Sequence, residues 1–296
     1  MKEKTIYALG FFDGVHLGHQ ALLTACRTLA EQNNCRAGVV TFTGHPDTLV
    51  SGNTPALINT PEDRKALLLG FGMDAVVELP FTRELMAMEW RDFIRLLRGT
   101  YGAVGFVCGD DFRFGYRGEG NATILANYCH AAGMPYAMVP EQTLGATRIS
   151  SSHIRDLLEA GRLEEANRFL GHAHTLSGTV IGGRQLGRTI GIPTANLALS
   201  EGVICPRFGV YACTARAEGK TYLAVTNIGT RPTVGGHHVT VEPWLLDFDG
   251  DLYGKLVSLQ FHAFLRPEQK FDSLEALQAE IRKNAAETRQ LLEGKL

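Results

Sequence analysis

The sequence has no surplus of charge, no long apolar run and no paired cysteine motif. Lys and Arg number 29 against 31 Asp and Glu, a formal net charge of -2. That balance excludes a protein that wraps nucleic acid through bulk charge. No apolar stretch approaches the roughly 18 residues of a membrane span. The longest, such as 37–40 or 75–77, are strand-sized. The six cysteines, at 26, 35, 108, 129, 205 and 213, include no C-x-x-C pair. Neither a zinc site nor a thioredoxin-type centre is therefore indicated, and the cysteines read as small hydrophobes in a reducing compartment. The opening MKEKTIYALGFFDG has too short an apolar part for a signal peptide. The expected setting is the cytoplasm.

What the chain does have is glycine, 33 in 296 residues. Its length predicts two domains at about 150 residues each, and 45% hydrophobic with 20% charged residues is ordinary globular composition. The first half alternates strand-like segments (5–9, 37–42, 74–79, 103–108, 136–139) with helix-like ones (18–31, 61–69, 90–97, 122–131, 152–159). Pro61 suits a first helical position. This alternation predicts a parallel sheet with crossover helices, a doubly wound α/β fold of nucleotidyltransferase-like Rossmann type. Ligands then bind beyond the carboxyl ends of the strands, in the loops after Leu9, Phe42, Cys108 and Val139.

Past a short linking helix at 162–170, strands follow one another without helices at 178–181, 210–217, 222–227, 239–248 and 256–265. Such succession predicts an antiparallel barrel or sandwich. A final amphipathic helix at 273–292 is expected to turn Leu274, Leu277, Ile281 and Leu291 inward. The expected division is 1–160, a linker at 161–177, and 178–296.

Residues 10–19, GFFDGVHLGH, follow the first strand and open the first helix. Unpaired N–H groups and the positive dipole end of a helix attract phosphate there, and His16 and His19 are spaced to reach its oxygens. The two also fit solvent-facing histidines or a metal pair, although no Cys/His set completes a zinc site and Asp13 alone is weak. Placement after strand one favours nucleotide. An H-x-G-H at a strand-to-helix junction resembles the signature of the adenylyl-transferring nucleotidyltransferase superfamily.

Residues 148–155, RISSSHIR, enter a helix after the fifth strand. Three hydroxyls suit a cap and a triphosphate, with Arg155 as charged donor; alone, the segment reads as a serine N-cap. Between the two lies CGDDFRFGYRG (108–118), whose aromatics suit a flat ring or an ordinary core. In the second half, Gly182, Gly183, Gly187 and Gly191 with Arg184 and Arg188 form a cationic loop suited to phosphates, or a glycine-rich hairpin corner. It is not a Walker motif. Thr194 and Asn196 are hard oxygen donors for Mg²⁺. Glu242 is placed to accept the proton of an attacking hydroxyl, or simply faces solvent from its strand. Pro243 predicts an edge or a bulge.

Taken in order, GFFDGVHLGHQ, TFTGHP, CGDDFRFG and SSSHIR, then GIPTANL, GVYACTA, TNIGTRPT and DLYGKLVSLQFHAFLRPEQKF, resemble the bacterial bifunctional riboflavin kinase/FAD synthetase family over almost the whole chain. The resemblance implies FMN adenylylation by the first half and riboflavin phosphorylation by the second, a six-stranded barrel. ATP is the co-substrate at both sites with Mg²⁺, and riboflavin, FMN and FAD are substrates and products. It implies ATP contacts at Gly10, Phe12, Asp13, His16, His19, Ser151, Ser152 and Arg155, with His16, His19 and Arg155 catalytic, and contacts to flavin or the reacting phosphates at Asp111 and Arg148. In the second half it implies ATP binding by Gly182, Gly183, Gly187, Arg188, Thr194 and Asn196, Mg²⁺ on Thr194 and Asn196, Glu242 as base, and Arg289 near the flavin. Small molecules alone are the expected partners, without nucleic acid or membrane, and the expected assembly is a monomer or weak homo-oligomer. Phe11 stands where the family often has asparagine, Thr43-Gly44 replaces an acidic-proline pair, and Ser152 replaces threonine. Pro243-Trp244 is unusual, and Asn284 replaces aspartate.

Overall fold

The computed structural model describes residues 3–45, 48–49, 52, 54–182, 191–233 and 236–294. Contacts divide the chain into two compact units, Met1–Leu57 with Pro61–Ser151, and Ile58–Thr60 with Ser152–Leu296.

In the first unit, β1 (Thr5–Leu9), α1 (Leu17–Gln32), β2 (Arg36–Phe42), α2 (Pro61–Gly70) and β3 (Ala75–Leu79) are followed by a single turn α3 (Arg83–Met86). Then come α4 (Trp90–Tyr101), β4 (Ala103–Gly109), α5 (Ala122–Ala131) and β5 (Tyr136–Val139). The five strands form one sheet with every pairing parallel, in the order β3-β2-β1-β4-β5. Successive strand residues feed opposite cores. Ile6, Ala8, Val39 and Val107 join Leu23, Cys26 and Ala30 of α1 and Leu68 of α2. Tyr7, Leu9, Val40, Phe106 and Cys108 join Phe93, Ile94 and Leu97 of α4 and Leu125 and Cys129 of α5. Both faces are covered, as a parallel sheet requires. The α/β alternation read from the sequence is thus the fold, and the carboxyl ends of β1, β2, β4 and β5 open on one side. Two small hairpins absent from the sequence reading (Arg113–Phe114 with Gly120–Asn121, and Thr143–Leu144 with Thr147–Arg148) decorate that side.

The second unit carries α6 (Ser151–Glu159, whose first residue belongs to the first unit), α7 (Leu163–Leu170), β6 (His174–Ile181), β7 (Asn196–Leu199) and β8 (Gly209–Ala217). It continues with β9 (Lys220–Thr233), β10 (Gly236–Leu245), β11 (Leu256–Arg266) and α8 (Leu274–Leu291). Six antiparallel strands close in the order β6-β7-β10-β9-β8-β11, with β11 returning to β6. Closure leaves no edge. The sequence pattern showed five of these strands. It missed β7, which is four residues long, and began the first barrel strand at 178 because His174 and Thr175 are polar, although both are buried.

Two expectations are corrected. Pro243 lies neither at an edge nor at a bulge: β10 runs between β7 and β9, and its register against β9 is unbroken from Ala224–Leu245 to Thr233–Gly236. The Pro243 carbonyl accepts from the Ala195 N–H at 2.9 Å. A strand residue directs its N–H and C=O to the same side, so the missing donor faces β7, where the ladder is a single residue pair, Leu197–Val241. In α8, Leu274 and Leu291 are 63% and 49% exposed rather than inward. The buried stripe is Asn284, Ala285, Thr288 and Leu292, and Leu291 lies roughly 60° round the helix from Thr288. No helix among the described residues is long and apolar enough to cross a membrane.

Candidate functional site

The first site forms where β1 turns into α1. Phe12 and Val15 adopt positive φ (60° and 41°) beside Gly14 at 82°. Such backbone is costly for residues with a Cβ, most of all a β-branched one, and it gathers at functional turns. His16 caps α1, its Nδ1 accepting the His19 N–H at 3.3 Å. The two imidazoles stack with centroids 3.6 Å apart. A Cβ at Gly18 would sit 3.2 Å from that Nδ1, which accounts for glycine between the histidines. Burial, then the neighbouring His16 and Arg64, hold His19 well below the usual histidine range. His19 is therefore neutral at pH 7, a hydrogen-bonding group rather than a cation.

A cavity of about 540 Å³ opens over this turn. Gly10, Phe11, His16, Gly18 and His19 line it from the turn, Asp111 and Arg148 from the later loops, and Ser151 from the start of α6. Ser151 Oγ donates to the Asp13 carbonyl at 2.9 Å. Arg148 bridges two carboxylates, with Nη2 3.2 Å from Asp111 and Nε 2.9 Å from Glu141. The sequence-predicted residues Gly10, His16, His19, Asp111, Arg148 and Ser151 thus converge. Phe12 and Asp13 do not line the cavity: the Phe12 side chain is in the core and Asp13 is 1% exposed beneath the turn. Ser152 and Arg155 continue α6 beyond the lining residues.

A second cavity of about 730 Å³ shares Phe42 and Arg113 with the first. Its walls are mainly apolar and include Phe81, Leu85, Met86, Phe93, Phe114 and Tyr116. Phe112 stacks on Phe114 at 5.5 Å and 19°, and Phe81 meets Phe42 edge-on at 5.2 Å. Gly115, at φ 76°, comes so close to Trp90 that a Cβ would lie 2.8 Å from its backbone. The sequence pattern marked the 108–118 segment and the loop after Phe42 but not Phe81 or Met86, whose apolar pattern does not differ from that of core.

The second unit has a cavity of about 290 Å³ lined by Thr194, Asn196, Pro243, Phe248, Asp249 and Tyr253, among others. Thr194 and Asn196 alternate on one extended segment entering β7, so their oxygens reach the same space. Glu242 is half-buried on β10, opposite Asn227 in register. Gly182 stands in open space, while Gly183, Arg184, Gly187 and Arg188 lie outside the described residues. Arg289 makes a two-pronged ion pair with Asp247 at 2.8 and 2.9 Å. That contact holds the Asp247 carboxyl below the usual carboxylate range. Asn284 accepts from Arg266 Nε at 3.1 Å and donates to Glu280 at 3.4 Å.

Comparison with known proteins agrees with this layout. The family model described as FAD synthetase matches residues 1–153, and that of riboflavin kinase matches 170–292. The bifunctional riboflavin kinase/FMN adenylyltransferase of Listeria monocytogenes is 36% identical over 96% of this chain and 91% of its own length. The protein of the same description from Escherichia coli K12 is 37% identical over 98% and 93%. A solved Streptococcus pneumoniae structure described as a macrolide-efflux protein superposes with a TM-score of 0.85 at 29% identity, covering 98% of this chain and 95% of that one.

Proposed function

The chain belongs to the bifunctional riboflavin kinase/FMN adenylyltransferase family, and on that premise we propose which residues carry each reaction. The enzyme phosphorylates riboflavin with ATP to give FMN, and transfers the adenylyl group of ATP to FMN to give FAD and pyrophosphate. We assign adenylyl transfer to residues 1–160 and the kinase to 178–296, joined by 161–177. The order of the two family matches supports this division.

The observation that carries the first assignment is the pair of adjoining cavities sharing Phe42 and Arg113, one presenting His16, His19, Asp111 and Arg148 and the other aromatic. ATP lies over the His16–His19 turn, and the flavin ring fills the aromatic cavity. The FMN phosphate then meets the adenylyl phosphorus near Arg148 and Asp111. A phosphate monoester has a second pKa of about 6 and is already ionised at pH 7. This step accordingly needs alignment and charge neutralisation rather than a strong base. Neutral His19, His16 and the N–H groups at the start of α1 donate to the phosphates, and Ser151 takes the departing pyrophosphate; for Ser152 and Arg155 the support is the family resemblance alone.

Riboflavin attacks through an alcohol, whose proton must leave during transfer. Glu242 is the carboxylate proposed to accept it. Thr194 and Asn196 suit Mg²⁺: both offer neutral oxygen donors to one cavity that also has Asp249 on its wall. When bound, the ion neutralises charge on the ATP phosphates. Arg289, tied to Asp247, flanks the flavin end. The reading includes a cytoplasmic setting, which the six free thiols support, and small-molecule partners only. Incubation with riboflavin, ATP and Mg²⁺, followed by separation of the three flavins, tests the two-step reading. FMN accumulating without FAD would overturn the assignment of the first half.

A further inference from the structure

Arg64 on α2 is the largest fully buried side chain among the described residues, at 0% exposure. Its Nη2 donates to the Phe42 carbonyl at 2.6 Å, at the end of β2. Its guanidinium carbon lies 4.5 Å from the centre of the Phe11 ring. Among the described residues, Nε and Nη1 have no hydrogen-bond partner. Asp13 acts on it most strongly among nearby carboxylates, ahead of Glu78 and Glu62, while burial pulls its pKa down. A guanidinium taken out of water and left with unpaired N–H groups is expensive. Such a group persists where its charge or its grip is used.

Phe11 shows what is gripped. Thr41 Oγ1 donates to its carbonyl at 2.7 Å, His45 meets its ring edge-on at 4.7 Å, and Arg64 covers its face. Phe11 and Phe42 both line the cavity over the His16–His19 turn, and Arg64 lies behind them. We propose that Arg64 is a positioning residue for adenylyl transfer: it clamps Phe11 to the end of β2 and sets a desolvated positive charge behind the wall that faces the nucleotide phosphates. Screening by salt is weak for a buried charge, so this attraction survives at physiological ionic strength. The inference rests on reading this cavity as the nucleotide site.

The test compares R64M, which keeps volume without charge, R64K, which keeps charge, F11L, and H19A as the control for the site itself. Each full-length variant is assayed for FMN-to-FAD conversion with KM for ATP and kcat resolved, and for FMN formation from riboflavin. R64M is expected to raise KM for ATP about 10-fold or more with kcat within about 3-fold, the signature of lost ground-state binding. R64K keeps the charge but not the planar contact with Phe11, so its KM should lie between those of the native protein and R64M. FMN formation should be unchanged in both. An unchanged KM in R64M, an R64K as impaired as R64M, or a parallel loss of FMN formation overturns the proposal. Should R64M not fold, F11L decides: KM for ATP rises at least about 3-fold if the clamp matters, and an unchanged KM overturns it. If H19A leaves FAD formation intact, the site reading fails; if H19A abolishes it while R64M does not alter KM, only the role of Arg64 fails.

Discussion

The His16 ring lies stacked on that of His19 while its Nδ1 closes the first turn of α1 by accepting the His19 N–H. One imidazole therefore has two duties, capping a helix and lining the cavity over the turn. Gly18 allows both because it has no Cβ to push the ring away.

Gly18→Ala separates those duties. Alanine gains about 0.5–1 kcal/mol of helix propensity, and a displaced cap loses about 1 kcal/mol, so thermal stability should change little. FAD formation should fall at least about 10-fold as the imidazole loses its alignment. Calorimetry beside an FMN adenylylation assay checks both expectations.

Glu242→Gln should abolish FMN formation from riboflavin, by at least about 100-fold, and leave FAD formation from supplied FMN intact. His19→Ala with Arg155→Ala should do the reverse. Chromatography of the three flavins reads both outcomes, and normal phosphorylation of riboflavin by Glu242→Gln would remove the base assignment.

Asn196→Ala removes one of two proposed Mg²⁺ donors. The Mg²⁺ concentration giving half-maximal FMN formation should rise about 10-fold or more. A titration against free Mg²⁺ measures it, and chelation with excess EDTA should stop FMN formation altogether.

His174 is 0% exposed, and among the described residues neither ring nitrogen has a hydrogen-bond partner. Burial, with a smaller contribution from His172, lowers its pKa to about 3. The unfolded chain binds this proton near pH 6.5, so the folded pKa is the depressed one. The stabilisation is complete above about pH 6.5 and is lost as pH falls toward 3, at up to about 1.4 kcal/mol per pH unit. Urea unfolding across this range, with the native protein and His174→Leu, should show a flatter acid dependence in the variant.

Local pattern reaches only as far as local physics. The strand–helix alternation was legible because each strand of a covered parallel sheet is an apolar run and each helix carries its own periodicity. The H-x-G-H segment was legible because one turn contains the cap, the glycine and both rings. The inward face of α8 was misread because its buried positions include Asn284 and Thr288, whose polarity is satisfied or sheltered only in the folded barrel.

By itself, then, the sequence determined the two architectures and the family. Tertiary structure alone brought Arg64 of α2 over Phe11 of the β1–α1 turn, and set Phe42, Phe81 and Tyr116 around one aromatic cavity. Those contacts join residues tens of positions apart, and no periodicity encodes which distant side chains meet when helices and strands close on a common core.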